Sequence, residues 1–127
     1  MNEKIQGNGE KIAERHVKAF LDLLILGILN GNTMYGYKLI GAIHKEFGVL
    51  LSPGSLYPLL HMLEEKKMVS SEFHGGRINY SVTSFGRRAF QNTFAEYRAA
   101  VKQLDNFVNN SAKNPPPPYL KVCRHYK

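Results

Sequence analysis

The sequence predicts a mostly α-helical domain that carries one small β-hairpin and ends in a long helix. Three observations lead there. Apolar residues recur at three- and four-residue spacing in separate stretches of the chain. Two β-prone runs flank the pair Gly75-Gly76. A final stretch of about 25 residues keeps a heptad pattern.

The first helix is expected over about residues 10–29, where Val17, Phe20, Leu21, Leu24, Ile25 and Ile28 repeat at helical spacing. Asn30-Gly31-Asn32 should end it, with Gly31 suited to a left-handed cap. Thr33 reads as the N-cap of a second helix that stops at Gly48, with Leu39, Ile40, Ile43 and Phe47 inward and Lys38 outward. Ser52 then caps a third helix, with Pro53 at its first position, where the missing N–H costs nothing. Leu56, Leu59, Leu60 and Leu63 share one face, and Gly54, Pro58 and His61 lie opposite with Tyr57 on the flank. Pro58 should remove a helical hydrogen bond and crowd the Gly54 carbonyl, so a bent or delayed helix start is expected.

Residues 68–74 and 77–82 around Gly75-Gly76 read as a hairpin, with Ile78, Tyr80 and Val82 on a buried face and Arg77, Asn79 and Ser81 outward. Thr83 or Ser84 caps the last helix. Within it Phe90, Phe94, Tyr97, Val101, Leu104 and Val108 form a heptad seam, and a seam of that length on a terminal helix calls for a partner. The organisation expected is therefore a disordered N-terminus over 1–9, a winged helix-turn-helix over 10–82, a dimerisation helix over 83–110, and a Pro-rich basic tail over 111–127. Four prolines at 115–118 stiffen that tail.

Three helices followed by a hairpin make the winged form of helix-turn-helix, whose third helix enters the major groove while the hairpin tip rests on the backbone. The residue types agree. Ser52 and Ser55 can donate to phosphate oxygens at a helix start that favours anions, and Gly54 permits close approach. Tyr57 and His61 reach outward, and Gly75-Gly76-Arg77 is a small wing tip with one strong phosphate donor. Lys38 and Asn79 complete the expected DNA-binding set. Each part has a plainer reading as a cap, a turn or a solvated charge, and it is their order and spacing that carry the inference.

These residues resemble the PadR family of bacterial and archaeal winged-helix transcriptional regulators, in its short form with one helix after the wing. The likeness lies in Leu26-Gly27-Ile28-Leu29, Tyr35-Gly36-Tyr37-Lys38-Leu39-Ile40, Ser52-Pro53-Gly54-Ser55-Leu56-Tyr57-Pro58-Leu59-Leu60, Leu63-Glu64, Tyr80, and Thr83 with Gly86. It implies that Tyr35, Ser52, Gly54, Ser55, Tyr57 and the wing around Arg77 contact double-stranded operator DNA. It also implies that the last helix, with Phe20 from the first, forms a homodimer. The chain departs from the family pattern at Met62, where a basic residue is usual, at Lys67-Met68, where Gly is favoured, and at Asn79, where the strand is usually more basic.

The formal charge of +7 fits an anionic partner, but it is unevenly placed. Residues 1–82 hold nine Lys/Arg against eight Asp/Glu, and residues 83–127 hold eight against two. The reading head is nearly neutral, so close contacts by Ser52, Gly54, Ser55, Tyr57 and His61 should supply its specificity. The expected function is a sequence-specific regulator, a repressor, acting as a homodimer on a pseudo-palindromic operator with half-sites about 34 Å apart. The alternatives are a winged-helix protein-interaction module and a sensor of a small aromatic effector. Phe90, Phe94 and Tyr97 are available to such a ligand, but their heptad spacing favours dimer core. No Ser-His-acid or Cys-His set is assembled, and Cys123 with His125 supplies too few ligands for a metal site, so neither catalysis, cofactor nor metal is expected. The longest apolar run, residues 23–29, falls far short of the roughly 20 residues that span a bilayer. With one cysteine and no signal-like N-terminus, a cytoplasmic location is expected.

Overall fold

The computed structural model describes residues 11–114. The expectations for residues 1–9 and for the tail from 115 onward lie outside the described residues. In chain order the elements are α1 (Ile12–Ala19), α2 (Leu21–Leu29), β1 (Met34–Tyr35), α3 (Gly36–Phe47), α4 (Pro53–Glu65), β2 (Val69–His74), β3 (Arg77–Val82) and α5 (Ser84–Lys113). The winged helix-turn-helix is formed by α2, α3 and α4 with the β2–β3 wing.

The expected first helix is two helices. It breaks at Phe20, whose backbone (φ −121°, ψ 27°) leaves the helical region while Leu24 N–H still bonds to its carbonyl at 2.9 Å. The one-sided α1 buries only Val17, whereas α2 is apolar almost all round and buries five residues. Periodicity continues across the break, which is why spacing alone did not reveal it.

Thr33 does not cap the second helix. Met34 and Tyr35 instead pair antiparallel with Tyr80 and Asn79, adding a third strand to the expected hairpin in the order β1-β3-β2. The Thr33 hydroxyl lies 2.9 Å from that of Ser81. α3 starts only at Gly36, without a side-chain cap, because pairing with a distant strand outweighs the local capping preference.

α4 begins where expected. The Ser52 hydroxyl accepts from Ser55 N–H at 3.2 Å, and Pro53 stands in the first turn. Pro58 does not delay the start, and the helix runs through it. Gly54 and Pro58 are both exposed, so the carbonyl that loses its helical partner faces solvent. The helix ends in a Schellman motif, with Met68 N–H bonding to Leu63 C=O at 2.9 Å and Lys67 N–H to Glu64 C=O at 3.0 Å. Its left-handed residue is Lys67 (φ 64°), among the described residues the one non-glycine with positive φ. Lys67→Gly is expected to raise stability by about 0.5–1 kcal/mol, since a side chain in that region costs more than the added freedom of glycine. A chemical denaturation series showing a lower midpoint would refute this.

The wing turns through Gly75 (φ 63°) and Gly76 (φ 76°), two consecutive positive φ values as a type I′ turn demands. Tyr80 and Val82 face inward, but Ile78 does not join them. It is 51% exposed, because the wing extends past the last core residue that could cover it. Phe47, expected inward, is likewise exposed at the end of α3.

The core draws Ile25 and Leu29 from α2, Leu39 and Ile43 from α3, Leu56 and Leu60 from α4, and Val69 from β2, all almost fully buried. Each such side chain contributes about 1.5–3 kcal/mol of burial. Tyr80 closes this core from β3 at 2% exposure. Burial pushes its phenol above the ordinary value near 10, with smaller contributions from Tyr57 and Glu64. The unfolded phenol ionises near pH 10 while the folded one still holds its proton. Its contribution to stability is therefore complete below about pH 10 and is lost as pH rises through the folded value. Thermal unfolding midpoints should hold up to pH 10 and fall above it, and Tyr80→Phe should shallow that fall.

Thr83 caps α5. Its hydroxyl accepts from Gly86 N–H at 2.9 Å and donates to the Lys67 carbonyl at 2.6 Å. At 30 residues, α5 runs three residues past the expected end. The part up to Thr93 belongs to one compact unit and the part from Phe94 to a second. In the first, Phe90 lies against α2, where a β-carbon on Gly27 would sit 3.4 Å from its ring. In the second, Phe94, Leu104, Phe107 and Val108 are exposed, Tyr97 and Val101 are half-buried, and the Arg98 guanidinium lies 5.7 Å from the Phe94 ring centre.

Candidate nucleic-acid interface

The start of α4 presents Ser52, Pro53, Gly54 and Ser55, all exposed. Ser52 and Ser55 hydroxyls lie 3.1 Å apart, so the cap is a linked pair. Gly54 has ordinary helical geometry, and a β-carbon there would meet nothing nearer than the Ser52 hydroxyl at 3.8 Å. The fold itself therefore has room for alanine. A glycine at an exposed helical position costs roughly 0.5–1 kcal/mol against alanine.

Three and seven residues further along α4 stand Tyr57 and His61, continuing the face that Gly54 begins, with His61 exposed. Tyr57 is half-buried, and it does not simply project. Its hydroxyl end lies over the first turn of α3, in the space where Gly36 lacks a side chain. That accounts for Gly36 within the Tyr35-Gly36-Tyr37 motif.

Arg77 does not extend from the wing tip. Its guanidinium lies over the Tyr35 ring, 4.2 Å from the centroid. Tyr35, Gly36, Tyr37, Tyr57, Arg77 and Ile78 together line one open groove between the wing and the starts of α3 and α4. Of these, Gly36, Tyr37 and Ile78 were not in the expected set. Tyr37 is an exposed aromatic inside the recognised motif, a signal that was available, whereas Ile78 alternated with core residues and so looked buried.

Asn79 is half-buried and its amide is engaged within the wing. Nδ2 donates to the His74 carbonyl at 3.1 Å and the Arg77 carbonyl at 3.3 Å, bracing the Gly75-Gly76 turn. Lys38 is exposed on α3, one residue beyond Tyr37. Phe20 of the expected dimer set stands at the α1–α2 break, half-buried, its ring 5.4 Å from that of His16. Among the described residues no group of three His, Cys, Asp or Glu could hold a metal ion, and no helix is long and apolar enough to cross a membrane.

A capped helix start beside a three-stranded sheet with a β2–β3 wing makes a winged helix-turn-helix. Residues 25–92 match the transcriptional regulator PadR-like family, and the chain belongs to it. Transcriptional regulator YqjI of Escherichia coli (strain K12) is 31% identical over 91 residues, a stretch that is 69% of this chain and 42% of that protein. The chain thus spans less than half the length of the curated relatives it matches. Among solved structures, a transcriptional regulator from Clostridium thermocellum superposes with a TM-score of 0.71 at 22% identity, covering 77% of this chain and 99% of that one. A PadR family transcription regulator from Clostridium difficile gives 0.65 at 24% identity, covering 70% and 98%. These relatives are transcriptional regulators.

Proposed function

We propose that the protein is a sequence-specific DNA-binding regulator, a repressor, that acts as a homodimer on a pseudo-palindromic operator. The observation that carries this reading is the capped start of α4, where Gly54, an exposed glycine that the fold does not require, stands between the linked Ser52 and Ser55 hydroxyls; Gly41 on α3 is equally bare but lies on no such anion-favouring turn. A phosphate backbone lying against that bare turn supplies the reason, and Ser52 and Ser55 are the donors beside it. Tyr57 and His61 follow on the same face, and Arg77 and Tyr35 flank it across the groove. With a nearly neutral head, affinity comes from these short contacts and less from a surrounding basic field.

The homodimer rests on α5. From Phe94 onward its seam of Phe94, Tyr97, Val101, Leu104 and Val108 has the periodicity of a coiled coil, and Leu104 is 65% exposed in the single chain. A second copy of the same helix is the simplest cover for it, and two-fold symmetry then sets the half-site spacing.

Gly54→Ala separates a reading role from a structural one. Stability should stay level or rise by up to about 1 kcal/mol, while affinity for an operator selected from a random DNA pool should fall at least severalfold. Unchanged affinity in a gel shift, together with unchanged stability, would sink this assignment. Sedimentation of Leu104→Glu should give a monomer where the parent gives a dimer.

A further inference from the structure

We infer that Tyr35 is a positioning residue for Arg77: its ring holds the wing guanidinium over the groove, so that the cation meets a backbone phosphate beside the start of α4. The inference rests on the DNA-binding reading above. Arg77 follows two glycines of positive φ, a poor anchor for a long side chain. Tyr35 is the reverse. Its backbone pairs with Asn79 in the sheet and leads directly into α3, and its ring is half-buried.

The register explains how the two meet. Arg77 lies two residues along β3 from Asn79, the partner of Tyr35, so the two side chains are diagonal neighbours on one face, within reach for long residues. Stacking on a ring face orients a guanidinium without using its N–H donors, all of which stay available to a phosphate. Asn79 fixes the backbone of the same residue by bonding to the Arg77 carbonyl. Both ends of Arg77 are thus held before any DNA arrives. In a head whose charges nearly cancel, a single cation placed in advance counts for more than one free to wander.

The test uses the full chain and a duplex operator selected from a random pool, with affinity measured between about 50 and 200 mM salt. Arg77→Ala should lower the slope of log affinity against log salt by about 0.9, one phosphate contact. Tyr35→Leu should weaken binding about two- to fivefold, the worth of an exposed cation–π contact, and Tyr35→Phe should restore most of that loss. In the Arg77→Ala background, Tyr35→Leu should cost almost nothing further. If it costs as much there as in the parent, Tyr35 acts on DNA by itself and the inference is overturned. It is equally overturned if Tyr35→Leu has no effect. A second readout needs no DNA: the Arg77 side-chain protons should show an upfield ring-current shift by NMR that Leu abolishes and Phe preserves. Its absence in the parent protein refutes the stacking even where DNA binds. Failure of the parent to bind any duplex while that shift is present refutes the DNA-binding reading instead, and the inference about phosphate with it.

Discussion

Gly86→Ala is expected to destabilise the protein by about 3 kcal/mol, at the upper end of what overpacking usually costs. A β-carbon at Gly86 would overlap the Met68 carbonyl and press on a Val82 methyl. Neither can give way cheaply. The Met68 carbonyl accepts Thr83 N–H at 3.0 Å, and its own N–H closes the Schellman motif on Leu63. Thr83 in turn caps α5 and bonds to the Lys67 carbonyl, so one added methyl strains the end of α4, the base of the wing and the start of α5 together. Helix propensity alone predicts the opposite sign, a gain of up to about 1 kcal/mol. Thermal unfolding decides between them: a fall of roughly 10–20 °C is expected, and a rise would show that the junction is looser than described.

Gly36→Ala should act on binding more than on stability. Its β-carbon would overlap the hydroxyl end of Tyr57, the far end of a half-buried side chain that can swing aside. The expected stability cost is about 1 kcal/mol or less, below the usual range for a filled core. On the proposed DNA-binding reading, however, the displaced phenol leaves the groove it shares with Tyr35 and Arg77. Operator affinity should then drop about tenfold, the value of one hydrogen bond to a charged group, matching Tyr57→Ala. Because removal of the phenol empties the space the methyl needs, Gly36→Ala in a Tyr57→Ala background should add almost nothing. Additive losses in that double-mutant cycle would mean that Gly36 and Tyr57 act separately.

Much of the candidate site was legible in the chain because its signals are local. Ser52 with Pro53 marks a helix start within four residues, and Gly75-Gly76 marks a turn by the two positive φ values it permits. Gly31 (φ 84°) takes the positive φ expected of it, and Gly48 (φ 70°) ends α3 where a stop was expected. Pro58 was the exception among local signals. It predicted a bent or delayed start, and the helix begins at Pro53 without delay, with Gly54 and Pro58 both exposed.

What stayed hidden involves partners far apart in sequence. β1 is two residues long and exists only because β3, some 45 residues later, offers it hydrogen bonds. The stack of Arg77 on Tyr35 depends on that register. Gly36 and Gly86 read as motif letters until the structure supplied Tyr57 and the Met68 carbonyl as the atoms they make room for. Phe90 and Ile78 kept the expected periodicity and still took other places, one against Gly27 and one in the open, since spacing tells which face a residue occupies and not what covers that face.

Though it gave neither the break at Phe20 nor the strand that replaced the Thr33 cap, by itself the sequence determined the Ser52 cap and course of α4, the Gly75-Gly76 turn, the order that makes a winged helix-turn-helix, and the family. Those follow from preferences acting within a few residues. Only the tertiary structure decided which tyrosine lies under the wing arginine and which glycines make room for a neighbour. Those depend on distances between segments, which close only when the core brings α3, α4 and the wing together.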